Sequence, residues 1–106
     1  MGTRVITQYK YIENTGYDII DNKMNERMTH DVIDVASSAF FQKKDISERC
    51  EYIKNRLEEL YSSISLSVFI YSNGYCKVSL DTNLYICGKA NDFFIIIFGH
   101  NRTPNN

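Results

Sequence analysis

Between Phe93 and Phe98 the chain runs apolar without a polar interruption, FFIIIF. A half-solvated strand would alternate, because successive side chains point to opposite faces. The run therefore predicts a strand covered on both faces, and it falls far short of the ~20 residues that span a bilayer. Upstream the period changes. Met28, Val32, Val35, Ala36 and Ala39 recur at steps of four and three and leave Glu26, Arg27, Asp34 and Ser37 outside, which predicts a helix from about Asn25 to Lys43. Asp45 followed by Glu48 is a capping-box-like start. Ile46, Ile53, Leu57, Leu60 and Tyr61 continue from it as a second amphipathic stripe, ending near Tyr61.

After SSIS the period becomes two: Leu66, Val68 and Ile70 alternate with Ser67, Phe69 and Tyr71, and the SNG at Ser72 to Gly74 is a hairpin signal. YCKVSL, LYIC and FFIIIF follow as strands, separated by DTN and GKAND, both clusters of turn formers. A short strand from Tyr17 to Asp21 precedes the first helix. The predicted order is β-α-α-β-β-β-β, an α+β domain over residues 17–100 with two helices on an antiparallel sheet. Residues 1–16 form an N-terminal extension, either disordered or an added strand, since Val5 to Ile12 also alternates. NRTPNN, residues 101–106, reads as a frayed tail.

A chain of 106 residues buries only about two thirds of the surface it exposes when unfolded, so a partner chain could supply missing cover. The formal net charge of -1 gives no field that draws in phosphate backbones or anionic lipid, which argues against nucleic acid and membrane partners. MGTRVITQYKYIENTGYD contains no continuous apolar core of signal-peptide length, so a cytoplasmic location is expected. Cys50, Cys76 and Cys87 share no CxxC spacing; they read as buried or incidental thiols, with neither a disulfide framework nor a zinc site signalled.

The candidate chemical motifs are weak. Gly88-Lys89 fails the phosphate-loop pattern at both ends, with Asn83 and Ala90 at the required positions, and reads as a turn. His30 and His100 are the two histidines and lie far apart; His30 reads as a polar helix-face residue and His100 as part of the tail. Lys43-Lys44 before a helix start could hold an anion but reads more simply as solvated. The tyrosines carry no flanking basic cluster that would make a nucleic-acid stacking platform. No enzyme, cofactor or metal site is expected.

With the elements laid out, the residues resemble the eight-kilodalton dynein light chain family. KMNERMTHD keeps that family's Met-x-Glu-x-Met-x-x-Asp at Met24, Glu26, Met28 and Asp31, with Ala36 and Ala39 in register. YIKNRLEELY is similar to its Ile-Lys-Lys-x-Phe-x-x-x-Tyr through Ile53, Lys54, Leu57 and Tyr61, and FFIIIF to its terminal strand. The resemblance runs from about Tyr17 to His100. It implies a non-catalytic, two-fold homodimer in which each protomer lends a strand to its partner's sheet. FFIIIF is then a central strand with helices on one face and the partner's sheet on the other.

The resemblance also implies binding of short linear motifs, from a dynein intermediate chain or other proteins, as an added strand beside the lent one. Such a hub belongs to a dynein motor or a related cytoskeletal, microtubule-associated assembly. The implied groove strand is Gly74, Tyr75, Cys76, Lys77, Val78 and Ser79, and the implied helix start is Asp45, Ile46 and Ser47. Leu66, Lys54, Lys77 and Ser79 fall at the implied dimer interface. This chain departs from the family at Lys77, where the family has tyrosine, and at Leu66, where it has a histidine whose protonation weakens the dimer. Lys77 points to ligands carrying an acidic residue, and Leu66 to a dimer that persists in mild acid. The alternative reading is a structural subunit that keeps the fold with a lost or altered groove.

Overall fold

Each helix begins at a side-chain cap. The Asn25 carboxamide accepts the Met28 N–H at 2.8 Å, and the Asp45 carboxylate accepts the Glu48 N–H at 3.2 Å. In the computed structural model, which describes residues 17–72, 82–90 and 92–102, these caps open α1 (Glu26–Gln42) and α2 (Ile46–Leu60). The strands are β1 (Tyr17–Asn22), β2 (Ile64–Tyr71), β3 (Leu84–Ala90) and β4 (Phe93–Asn101). They form an antiparallel sheet in the order β1-β3-β4-β2. The strand expected at YCKVSL and the extension over residues 1–16 lie outside the described residues.

β4 is central, as FFIIIF requires. Ile97 lies opposite Val68 on one side and Ile86 on the other, and Ile95 opposite Ile70 and Gly88. Ile95 and Ile97 point to the helices, where they meet Val32, Ala36, Ile53 and Leu57 in a core from which water is excluded. Phe93 lies on the same side, with its ring 5.9 Å from that of Phe40. Phe40 in turn lies under the Arg49 guanidinium, whose Nε donates to the Lys43 carbonyl at 2.8 Å, and these contacts tie the turn between the helices to the sheet.

The alternate residues make a second sheet face. Tyr85, Cys87 and Ile96 are buried there with Tyr71 and Phe98 around them. Phe69 stacks on Phe98 and Tyr71 on Phe94, with centroids 5.7 and 5.5 Å apart. No helix covers this face among the described residues, and Phe69 is 52 % exposed.

Five expectations change. Ser37, expected outside the apolar stripe, is buried with its hydroxyl donating to the Ile33 carbonyl at 2.7 Å, which satisfies it within the helix. Gly88, Lys89 and Ala90 are strand rather than turn, because β3 is paired on both sides, with β1 and with β4, and two ladders outweigh local turn chemistry. The first tail residues are held: Asn101 belongs to β4, and the Arg102 N–H donates to the Ser63 carbonyl at 2.6 Å. His100 likewise sits in β4, opposite Ser65. Cys87 is disulfide-bonded rather than an incidental thiol. Spacing along the chain could not reveal this, since strand pairing decides which cysteines meet.

Candidate functional site: the outer edge of β2

β2 has β4 on one side, and no described strand lies on the other. In an antiparallel strand the outward N–H and C=O groups belong to every second residue. Here that row is Ile64, Leu66, Val68 and Ile70, as its hydrogen bonds show. The Ile64 N–H donates to the Tyr61 carbonyl at 3.1 Å and the Leu66 N–H to Glu58 Oε2 at 2.8 Å. No described residue pairs with the outward groups of Val68.

Helix α2 runs alongside this edge and presents Cys50, Lys54 and Glu58 to it, at i, i+4 and i+8, one row of a helix surface. Glu58 is the most engaged of the three. Besides the Leu66 amide, its carboxylate accepts from Lys54 Nζ at 2.5 Å and from Arg102 Nη2 at 3.3 Å. Burial pushes its pKa up, but the hydrogen bonds from Lys54 and Leu66 and the charges of Lys54 and Arg102 outweigh that, and the carboxyl titrates below its ordinary range. Burial raises the Cys50 thiol, and the hydrogen bond from Ile70 opposes the rise.

The start of α2 lies towards the Ile70 end of the edge, one turn before Cys50. Asp45, Ile46 and Ser47 are all exposed there. With the Glu48 amide taken by Asp45 and the Arg49 amide by the Asp45 carbonyl, the amides of Ile46 and Ser47 have no partner among the described residues. They are the unpaired donors with which every helix begins. Leu66 turns its side chain into the core, 4 % exposed, and offers the edge its backbone alone. Lys54 stands beside the edge through Glu58. Gly74, Tyr75, Cys76, Lys77, Val78 and Ser79 lie outside the described residues.

Sequence reading did not single out Glu58, Cys50 or Arg102. Cys50 and Glu58 lie on one row of α2, and only the placement of β2 beside α2 shows what that row faces. Elsewhere, His30, Asp31 and Asp34 bring ligand atoms within 4.8 Å of one another on α1. Asp31 already accepts from the Tyr61 hydroxyl, and His30 Nδ1 lies 3.5 Å from Asp34 Oδ2, so the group reads as an internally bonded helix surface. Among the described residues no helix is long and apolar enough to cross a membrane.

No protein-family model matches the chain, and no curated protein matches it. Two solved structures of the dynein light chain-like domain of the Fasciola hepatica calcium binding protein FhCaBP2 are similar to it. A mercury derivative is 18 % identical, with 86 % of this chain and 95 % of that chain covered and a TM-score of 0.65. A native form is 14 % identical, with 88 % and 96 % covered and a TM-score of 0.60. The chain therefore has the dynein light chain-like fold.

Proposed function

We propose that this chain is a divergent dynein light chain-like protein that works without catalysis, as a homodimer binding short linear motifs of other proteins. The observation that carries the reading is the outer edge of β2, an edge of the sheet flanked by a helix start and continuous with an aromatic second face. Edges of this kind add strands: backbone groups give affinity, and pockets for alternate side chains give preference. In the proposed dimer the partner's residues 74–79 fill the edge, the two aromatic faces pack together, and a ligand strand lies beside the lent one near Asp45, Ile46 and Ser47. Two equivalent grooves make the dimer bivalent, so a dimeric ligand gains avidity by ~10² to 10⁴ without new contacts. A dynein intermediate chain or another cytoskeletal protein with such a motif is the proposed partner, in the cytoplasm.

Titration calorimetry with a peptide of the ordinary Thr-Gln-Thr light-chain type tests the reading. Saturation at one peptide per protomer is expected. A dimer that takes up neither this peptide nor acidic variants chosen for Lys77 would instead be a structural subunit that keeps the fold without the groove.

A further inference from the structure

The outer edge of β2 is unevenly occupied. At one end the Leu66 amide is bonded to a carboxylate that also holds Lys54 Nζ and Arg102 Nη2, at 2.8, 2.5 and 3.3 Å. Displacing Glu58 from Leu66 would disturb a charge-assisted network that joins α2, β2 and the end of β4. At the other end the Ile70 backbone faces the Cys50 thiol, a weak hydrogen-bond partner that yields easily. Val68 stands between them with its outward groups unpaired among the described residues.

We propose that Glu58 is a register stop: it fixes where a strand docking on β2 must end. The inference rests on the proposed docking of a strand at this edge. Pairing begins at Val68, extends to Ile70 as Cys50 gives way, and runs on towards the start of α2; it does not reach Leu66. Such a device has a clear use. A slip of one residue would exchange the two faces of the incoming strand and is opposed by its pattern of apolar side chains. A slip of two residues restores both the faces and the hydrogen-bonding phase, so side-chain pattern alone does not oppose it. A hydrogen bond already made at Leu66 does. Glu58 thereby sets which residues of the incoming strand lie beside Asp45, Ile46 and Ser47, and acts as a positioning residue rather than a contact for the ligand's side chains.

Residue-resolved amide exchange by NMR, at protein concentrations on either side of the dimer dissociation constant, tests this directly. In the unsubstituted chain the Leu66 amide should exchange slowly and equally at both concentrations, while Val68 slows by about tenfold or more on association. In Glu58→Ala, Leu66 should exchange fast when dilute and slow with Val68 on association, as pairing slips forward. Glu58→Gln, which keeps the shape and a neutral acceptor, guards against loss of fold. It should protect Leu66 less well when dilute, with a further slowing of about threefold on association. The proposal is overturned if Val68 responds to association but Leu66 in Glu58→Ala does not, or if Leu66 in the unsubstituted chain slows together with Val68. Failure of the underlying docking looks different: Val68 would then respond in none of the three proteins, and the register stop would fall with it.

Discussion

At Glu58 burial and hydrogen bonding pull in opposite directions, and the side chain, only 14 % exposed, shows which wins. Its folded pKa lies below its ordinary value of 4.5, so its contribution to stability is present above that value and lost as pH falls through the lowered one. Glu58→Ala should destabilise the chain by about 1 to 3 kcal/mol at pH 7, because it leaves the Leu66 amide and two cations without their acceptor. Urea unfolding at pH 7 and pH 3 should show this difference shrinking in acid. Tyr61 gives the opposite sign. Burial, then the hydrogen bond to Asp31 and the charge of Asp31, raise its phenol above 10.0 against the opposing Arg27. Its contribution is therefore present below pH 10 and lost as pH rises through the raised value. Tyr61→Phe should cost about 1 kcal/mol at neutral pH and weaken the alkaline decline, as followed by thermal unfolding in buffers from pH 8 to 12.

The elements show what could be read in advance. Both helices were legible within a residue or so because their caps, Asn25 and Asp45, are local chemistry and their apolar faces repeat with the helical period. FFIIIF was legible as an inner strand with the helices over one face, because lack of alternation has few other causes in so short a run; the cover expected on its other face is the proposed partner's sheet. Gly88-Lys89-Ala90 was not, because its state is set by two neighbouring strands rather than by its own residues. The row of Cys50, Lys54 and Glu58 was invisible as a site for the same reason: its meaning comes from β2, which adjoins it in space. Gly99 is another such position. A Cβ there would lie 2.2 Å from the Ser65 carbonyl oxygen and 2.7 Å from a Leu66 methyl, so β2 and β4 can approach only over a glycine. Gly99→Ala should cost about 1 to 3 kcal/mol in denaturant unfolding. Ile97→Asp, a charge placed in the fully buried centre of β4, should abolish most of the stability of a domain this small, by several kcal/mol.

For the whole molecule the central question is what the second face of the sheet does. Phe69, Tyr71, Phe94 and Phe98 make an aromatic surface on the side of the sheet away from both helices, where the proposed dimer places the partner's sheet. The expectation that the dimer persists in mild acid rested on Leu66 standing where the family has a histidine. The side chain of Leu66 lies in the core of its own chain, and the imidazole nearest that position is His100, directly opposite Ser65. Sedimentation at neutral and at mildly acid pH tests that expectation, which predicts an unchanged dimer. Replacing Phe69, which is half exposed, should weaken association more than folding: Phe69→Asp loses the stack on Phe98 and should cost the monomer about 1 to 2 kcal/mol in urea unfolding, leaving it folded while association is lost.

Sedimentation equilibrium of the full chain, run in parallel with Phe69→Asp, is the most direct test. A species of twice the chain mass that falls to the single-chain mass in the variant is the predicted result. A single-chain mass for the unsubstituted protein at high micromolar concentration would contradict the account, leaving the dynein light chain-like fold without the paired sheets on which the proposed groove depends.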